Sequence, residues 1–270
     1  MSPLLQLTVG FALGVTLAAL AFWAGALTRS GALAAALLGG LLFGLGGLRW
    51  AVLLLLFFIT SSGLSHLSGR RKAALAEQFA KGSRRDWGQV AANGGLSLLL
   101  VLVSTLWPEQ AWVWVAYAGS LAAVNADTWA TELGVLSKTP PRLITTWQRV
   151  ERGTSGGVSL AGTLAALAGA LLIGLAAMFL QPPEGGWVTC LSATLGGLAG
   201  SLFDSWLGAT HQAIYRCPSC QHETERHPRH TCGTPTEHLR GWRWLNNDLV
   251  NLACSLLGAC LAVAIYLLLP

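Results

Sequence analysis

The sequence predicts an all-α polytopic membrane protein, a bundle of about eight transmembrane helices with both termini outside. Of the 270 residues, 53% are hydrophobic and only 11% are charged, and the mean hydropathy is +0.54. A soluble domain carries about twice that charged fraction. Several apolar runs also reach the roughly 20 residues that cross the hydrocarbon core of a bilayer. The whole chain, 1–270, is therefore expected to form a single integral membrane domain surrounded by membrane lipid.

Eight apolar segments are predicted to be helices. The first has no basic region before it and is too long for the core of a signal peptide, so we expect it to be retained. The second and third are separated only near residues 46–49 and could instead form one long broken helix. The predicted bounds are 4–27, 31–47, 49–65, 89–107, 111–136, 157–180, 187–210 and 247–269.

The basic residues indicate which loops share a side of the membrane. If Arg29 and the loops at 66–88, 137–156 and 211–246 lie together, that side holds sixteen of the seventeen Lys and Arg residues. Only Arg49 lies on the other side. Because cytoplasmic loops are enriched in Lys and Arg, the long loops are predicted to face the cytoplasm of a bacterial cell. Topology then explains the net charge of +5, and no nucleic-acid partner is expected.

Polar side chains recur at helical spacing in the cytoplasmic halves of four segments. Residues three or four positions apart share a helix face, so each set is expected to line one face. The sets are Asp86, Gln89, Asn93 and Ser97; Asn125, Thr128 and Glu132 beside Asp127; Ser201, Asp204, Ser205, Gly208, His211 and Gln212; and Asn247, Asp248, Asn251 and Ser255. Interhelical hydrogen bonding explains isolated Ser and Asn residues equally well. Carboxylates in the membrane are costly and mark functional sites, so one cavity open to the cytosol is predicted.

Four acidic residues, Asp127, Glu132, Asp204 and Asp248, are the predicted catalytic groups of that cavity. Mg²⁺ takes oxygen ligands, commonly one or two carboxylates together with substrate phosphates. Asp127 and Glu132 are therefore the predicted magnesium ligands. They lie about 140° apart on an ideal helix, so a shared ion would require a local break in the helix or a wide site between helices.

A glycine-rich segment at the start of the sixth predicted helix is the expected phosphate-binding element. Free backbone N–H groups at a helix start bind anions, and glycine permits close approach. Phosphoryl transfer requires little beyond a metal, positioned cations and an in-line nucleophile. The predicted phosphate- and substrate-binding residues are Gly153, Thr154, Ser155, Gly156 and Gly157; the basic Lys81, Arg84 and Arg85; and Asn93, Asn125, Thr128, Asn247 and Asn251.

The cytoplasmic loop at 211–246 is predicted to bind a structural zinc ion. Cys217 and Cys220 form a C-x2-C motif, and His230 and Cys232 follow it. Three thiolates and one imidazole are a sufficient tetrahedral set for Zn²⁺. His222 or His227 could replace His230 as the fourth ligand. Since no ligand position is left open, the zinc ion is expected to fold the loop rather than to perform chemistry.

Several motifs in one order resemble a single membrane protein family. They are NADTWATELG (125–134), GTSGGVSLAG (153–162), FDSWLGATHQ (203–212), the C-x2-C…HTCG loop and LNNDLVNL (245–252), together with SRRDWGQVAANGG (83–95). That family was named as a domain of unknown function. It includes the plant phytyl-phosphate kinase and an animal multi-pass transmembrane protein, and it is distantly similar to dolichol and phytol kinases.

The resemblance implies a kinase that transfers a phosphoryl group to an isoprenoid monophosphate, such as phytyl or geranylgeranyl phosphate. The implied donor is a nucleoside triphosphate, with CTP expected. Membrane cytidylyltransferase activity stays open, and a homodimer is expected by analogy. The residues alone leave two other classes of function open. One is a transporter or flippase for a lipid phosphate or anion, and the other is a zinc-stabilised membrane scaffold.

Overall fold

The predicted helix bundle is confirmed by a computed structural model of the chain, which describes residues 2–72, 84–137, 139–180 and 186–269. Within these ranges it has eight α-helices. Seven of them, all except the fifth, are long and apolar enough to cross a membrane. The helices are Pro3–Trp23 (α1), Arg29–Gly46 (α2), Leu48–Lys72 (α3), Trp87–Leu106 (α4), Ala111–Gly134 (α5), Leu160–Leu180 (α6), Gly186–Thr210 (α7) and Asn247–Leu268 (α8).

Helix α5 lies at the centre of the bundle. Every residue from Val113 to Ala126 is buried, and α3, α4, α6, α7 and α8 pack around it. Because neighbouring helices rather than lipid surround α5, it requires less hydrophobicity than the other seven. Small residues permit the close packing: a Cβ on Gly119 would lie 2.7 Å from the carbonyl oxygen of Gly258.

Helices α2 and α3 are separate, which resolves the alternative of one broken helix. Gly47 ends α2 with a φ of +78°, a conformation that glycine adopts without steric cost. Helix α1 packs antiparallel against α2. A Cβ on Gly10 would lie 2.7 Å from the Gly40 oxygen, and one on Gly14 would lie 2.7 Å from the Ala36 oxygen.

The helix ends divide the molecule into two sides. On one side the Thr28 amide donates to the Arg85 oxygen at 3.0 Å, which joins the start of α2 to the start of α4. On the opposite side the Arg49 guanidinium lies 5.7 Å and 5.5 Å from the ring centroids of Trp50 and Trp114. Helix α1 begins and α8 ends on the Arg49 side. Both termini therefore lie opposite the long loops, and the assignment of their side to the outside stays a prediction.

Short strands shape two of the long loops. Arg142–Leu143 (β1) and Gly157–Val158 (β2) form an antiparallel pair, and Ile214–Arg216 (β3), Glu223–Thr224 (β4) and Glu237–Arg240 (β5) form a sheet in the order β4-β3-β5. The predicted start of the sixth helix at residue 157 is wrong. Residue 157 belongs to β2, and the Ser159 hydroxyl caps α6 by accepting a hydrogen bond from the Gly162 amide at 3.1 Å. The glycine-rich segment is thus a turn before a strand rather than a helix start.

Candidate functional site

A polar cavity of about 240 Å³ lies where the ends of α4 to α8 meet on the loop side. It brings together residues that are far apart along the chain, because α4, α7 and α8 begin or end beside the end of α5. The predicted site residues that line it are Arg85, Asn93, Asp127, Thr128, Glu132, Gly153, Thr154, Ser155, Gly156, Gly157, Asp204, Asn247 and Asn251.

Arg84, one of the predicted basic residues, does not line this cavity. The Arg84 guanidinium donates two hydrogen bonds, at 3.2 Å and 3.0 Å, to the Leu27 oxygen, and it lies 5.6 Å from the Phe22 ring centroid. Arg84 therefore fixes the turn between α1 and α2, contrary to the prediction that it binds phosphate. Lys81 lies outside the described residues.

Two predicted residues on the helices also lie away from the cavity lining. Asn125 is fully buried, accepts hydrogen bonds from Thr60 and Ser61 at 3.2 Å and 3.1 Å, and donates to the Gly169 oxygen at 2.8 Å. Its amide holds α3, α5 and α6 together, which is the interhelical role rather than the substrate-binding one. Asp248, in the first turn of α8, is not among the lining residues either.

The carboxylates at one end of the cavity come from three elements. Asp204 of α7 is close enough to Asp127 of α5 and to Glu225 for their charges to interact, and all three line the cavity. In the described part of the chain, the Asp204 Oδ2 atom is buried without a hydrogen-bond partner. Mg²⁺ takes oxygen ligands, commonly one or two carboxylates together with phosphate oxygens, so this acidic end suits such an ion.

Glu225 was missed by sequence reasoning. It follows β4 in the 211–246 loop, and no periodicity or motif places that loop over the ends of the helices. The only sequence feature that could have suggested a role for Glu225 is its position shortly after the C-x2-C motif. The fold adds it to the cavity, because the loop returns across the end of α7.

The other end of the cavity is built around Arg85 and Glu132. The Ser65 hydroxyl donates to Glu132 Oε1 at 2.7 Å, and Arg85 Nη1 donates to the Ser62 hydroxyl at 2.7 Å. Burial lowers the pKa of Arg85, and the nearby negative charge of Glu132 partly restores it; the guanidinium stays protonated at neutral pH. Ser65 was also missed, although it continues the hydroxyl-rich face of α3 that includes Ser61.

Asp127 and Glu132 therefore face different surroundings. Helix α5, which is described throughout, continues from one to the other without a break, so their angular separation of about 140° is retained. Of the two arrangements that would let them share an ion, the local break is absent from this helix, which leaves a wide site between helices. Glu132 interacts with a cation and a hydroxyl, whereas Asp127 lies beside other carboxylates.

The glycine-rich turn packs directly against the end of α7. Gly153 and Gly156 both have a φ of +86°, which favours glycine. A Cβ on Gly156 would lie 2.5 Å from the Ala209 backbone nitrogen, and one on Gly208 would lie 2.6 Å from the Ser155 hydroxyl. Turn conformation and packing thus account for Gly156, while the turn as a whole still lines the cavity.

Gln212 joins this turn to the loop at 211–246. The side chain is only 2% exposed. Its Oε1 accepts a hydrogen bond from the Ser155 hydroxyl at 3.1 Å, and its Nε2 donates to Glu225 Oε1 at 2.8 Å. Gln212 therefore fixes the position of Glu225 at the acidic end of the cavity.

A second cluster lies in the same loop, outside the helices. Cys217, Cys220, His230 and Cys232 each offer one ligand atom, and these atoms all lie within 4.8 Å of one another. A tetrahedral metal ion requires ligands this close. We refer to these four residues as the thiol cluster.

The fold selects His230 as the histidine of the thiol cluster. His227 instead stacks on the Tyr215 ring with centroids 4.5 Å apart. Hydrogen bonds with Thr234 lower the pKa of Cys232 to about 6, and a bond with Cys232 raises the pKa of Cys220 to about 12. Thiolates rather than thiols are the metal ligands, and the lowered pKa of Cys232 favours its thiolate form.

Comparisons with known proteins agree with the membrane fold. The family model described as integral membrane protein DUF92 matches residues 12–259. Protein PGR of Arabidopsis thaliana is 35% identical over 237 residues, which cover 80% of this chain and 81% of that protein. An uncharacterized membrane protein of Methanocaldococcus jannaschii is 31% identical over 266 residues, covering 98% and 97%. Protein VTE6, chloroplastic, of A. thaliana is 25% identical over 244 residues, covering 88% and 64%. No solved structure matches the chain.

Proposed function

Because the chain belongs to the DUF92 family of integral membrane proteins, we propose that it phosphorylates an isoprenoid monophosphate to the diphosphate. The donor is a nucleoside triphosphate, with CTP expected, and the acceptor is a phytyl or geranylgeranyl phosphate. One observation carries the proposal: the cavity has carboxylates at one end, a half-buried arginine at the other, and a glycine-rich turn on the same wall. Two anionic substrates can bind in such a site side by side.

Asp127 and Asp204 are the proposed ligands of Mg²⁺ at the acidic end, with Glu225 completing the negative charge. When bound, the ion neutralises the phosphates of the donor nucleotide, as in other phosphoryl-transfer sites. Glu132 is reassigned from metal ligand to positioning residue, because it interacts with Ser65 and lies near Arg85. Asn247 and Asn251 of α8 contribute neutral donors and acceptors to the same wall.

The proposed phosphoryl transfer requires few catalytic groups from the protein. An anionic oxygen of the acceptor phosphate bonds to the γ-phosphorus of the donor as the bond from that phosphorus to the bridging oxygen breaks, which releases the nucleoside diphosphate. No proton has to be removed from the acceptor, so no strong general base is required. Arg85 neutralises the acceptor phosphate and orients it for in-line attack.

Zn²⁺ is the proposed occupant of the thiol cluster. Three thiolates and one imidazole match its preference, and a set without an open position is typical of structural sites. The ion would fold the loop that carries Glu225. From the distribution of basic residues, we propose that the loop and the cavity face the cytosol and that the chain lies in the cytoplasmic membrane of a bacterium.

The direct test is phosphoryl transfer by the purified full chain. We expect label to pass from a γ-labelled nucleotide, CTP above all, to phytyl or geranylgeranyl phosphate in the presence of Mg²⁺. Failure to label any isoprenoid phosphate with any nucleotide would overturn the proposal. Movement of isoprenoid phosphate across sealed vesicles without nucleotide consumption would instead indicate a transporter.

A further inference from the structure

A second cavity, of about 230 Å³, lies among the first four helices and has a different character. Leu, Phe, Val, Ala and Gly residues of α1 to α4 and of the turn between α1 and α2 form nearly all of its wall. Among its described lining residues, only Arg85, Gln89 and Asn93 are polar. We call this cavity the apolar groove.

The same three residues also line the polar cavity. The two spaces therefore meet at the start of α4. Arg85 is oriented for this position: its guanidinium carbon lies 5.8 Å and 5.6 Å from the ring centroids of Phe57 and Phe58, while Nη1 bonds to Ser62. A ligand that occupies both spaces must have an anionic head and a hydrocarbon tail.

The groove is long and opens towards lipid. Along α3 it extends from Phe58 to Leu48, which is about 15 Å at 1.5 Å per residue. That length exceeds a single isoprene unit. Leu13 and Leu17 of α1 line the groove and are 44% and 41% exposed, so a tail can enter sideways from the bilayer.

We propose that the apolar groove binds the isoprenoid tail of the acceptor, with the attached phosphate at Arg85. The identity of this occupant rests on the proposed function. The three lining residues shared with the polar cavity favour it over an ordinary phospholipid, because the groove ends at one half-buried guanidinium beside that cavity rather than at a solvated headgroup surface. The groove thus makes chain length a determinant of substrate choice.

Gly39 of α2 offers a way to fill the groove without disturbing the helices. A Cβ there would have only the Gly14 Cα within 4 Å, at 3.9 Å, which is an ordinary contact. Gly39→Leu therefore places its side chain in the groove, more than halfway from Arg85. The matched control is Gly95→Leu, since Gly95 of α4 has nothing within 4 Å of its Cβ position and lines neither cavity.

The experiment measures binding of geranylgeranyl phosphate and of dimethylallyl phosphate to the full chain in nanodiscs, without nucleotide. Gly39→Leu should weaken binding of the long-chain phosphate at least about tenfold and leave the short-chain phosphate unchanged, whereas Gly95→Leu changes neither. Unchanged long-chain binding in Gly39→Leu, or equal displacement by phosphatidic acid, would overturn the inference. If binding depends on the groove but no phosphoryl transfer is found, the kinase proposal fails and the groove assignment stands. If transfer occurs and Gly39→Leu does not change it, the kinase proposal stands and the groove assignment fails.

A second measurement does not depend on any variant. A prenyl phosphate with a photoreactive group at the end of its tail should label wild-type protein in α2 near Gly39 or in α3 near Leu48–Leu54. Labels confined to α6, α7 or α8 would overturn the groove assignment.

Discussion

The thiol cluster and the acidic end of the polar cavity are both suited to a metal ion, yet they are built differently. In the thiol cluster four ligand atoms already lie within 4.8 Å of one another. Asp127, Asp204 and Glu225 interact electrostatically, but the thiol cluster is the one group of three or more metal-ligating residues that comes within coordination range in the described part of the chain.

This difference distinguishes a structural ion from a substrate-bound one. A complete protein ligand set holds its metal at all times and stabilises the surrounding fold. An incomplete set of carboxylates leaves coordination positions for phosphate oxygens and water, which is how Mg²⁺ usually binds with a nucleotide. The acidic end is therefore expected to bind its ion together with the donor, and each cluster can be disrupted separately.

Asp127→Asn should have the largest effect on transfer and the smallest on the thiol cluster. Loss of one carboxylate from a metal that neutralises phosphate removes several kcal/mol of transition-state stabilisation, so kcat/KM should fall at least about 1,000-fold. Zinc content and melting temperature should not change. Glu151→Gln is the control, because Glu151 is exposed and does not line the cavity; equal activity of the two variants would refute the assignment.

Cys217→Ser should disrupt the other cluster. We expect loss of about one zinc ion per chain, measured by mass spectrometry of the metal, and a less protected 211–246 loop in hydrogen exchange. Transfer should fall roughly 10- to 100-fold, because the loop no longer holds Glu225 in place. Cys260→Ser, at an exposed free cysteine of α8, should retain zinc and activity. Full activity without zinc would show that the two regions are independent.

Gly156→Ala tests the packing of the glycine-rich turn on α7. Its Cβ would clash with the Ala209 backbone while the residue is held at positive φ. The free energy of unfolding should fall by about 2 to 3 kcal/mol from strain and overpacking. Gly25→Ala shares the positive φ but has nothing within 4 Å, so it should lose only about 1 kcal/mol. Equal losses would mean that the close contact is unimportant.

Gln212→Leu should have the smallest effect of the four. It removes both hydrogen bonds that join Ser155 to Glu225, each of which contributes about 1 kcal/mol. Transfer should therefore fall about tenfold, with zinc retained. A titration of Mg²⁺ should show that the apparent affinity for the ion accounts for the loss, and an unaltered titration would argue against a role for Glu225 at the acidic end.

The sequence was most informative where one local pattern decides the outcome. Apolar runs determine the helices, and the cysteine spacing identifies the three thiols of the thiol cluster, while His222 and His227 stayed open as alternatives to His230. Helical spacing also placed Asp127, Asp204 and Asn251 at one depth. Helical spacing could not distinguish Asn125 from the residues that face the cavity. The Asn125 amide forms hydrogen bonds with neighbouring helices. Spacing identifies the face of a helix, but it does not identify what packs against that face.

The remaining parts depend on contacts between distant segments. Arg84 was expected near phosphate, but its guanidinium donates two hydrogen bonds to the Leu27 carbonyl instead. The β1–β2 pair converts the expected helix start at Gly157 into a strand. Glu225 reaches the cavity only because the loop folds back over α7. No sequence pattern within ten consecutive residues predicts any of these contacts.

The burial of α5 has a consequence for how the protein is made. This helix carries Asp127 and Glu132, and although its 24 residues are long enough, it does not reach the hydropathy of the other seven helices. A single acidic residue at the centre of an inserting helix costs about 2.5 to 3.5 kcal/mol in the translocon. Helix α5 follows α4 after only the short connection 107–110, so the two should enter the bilayer as a hairpin, with α4 providing the hydrophobicity that α5 lacks. Insertion of Asp127 and Glu132 into the membrane would thus depend on the order in which the neighbouring helices leave the ribosome.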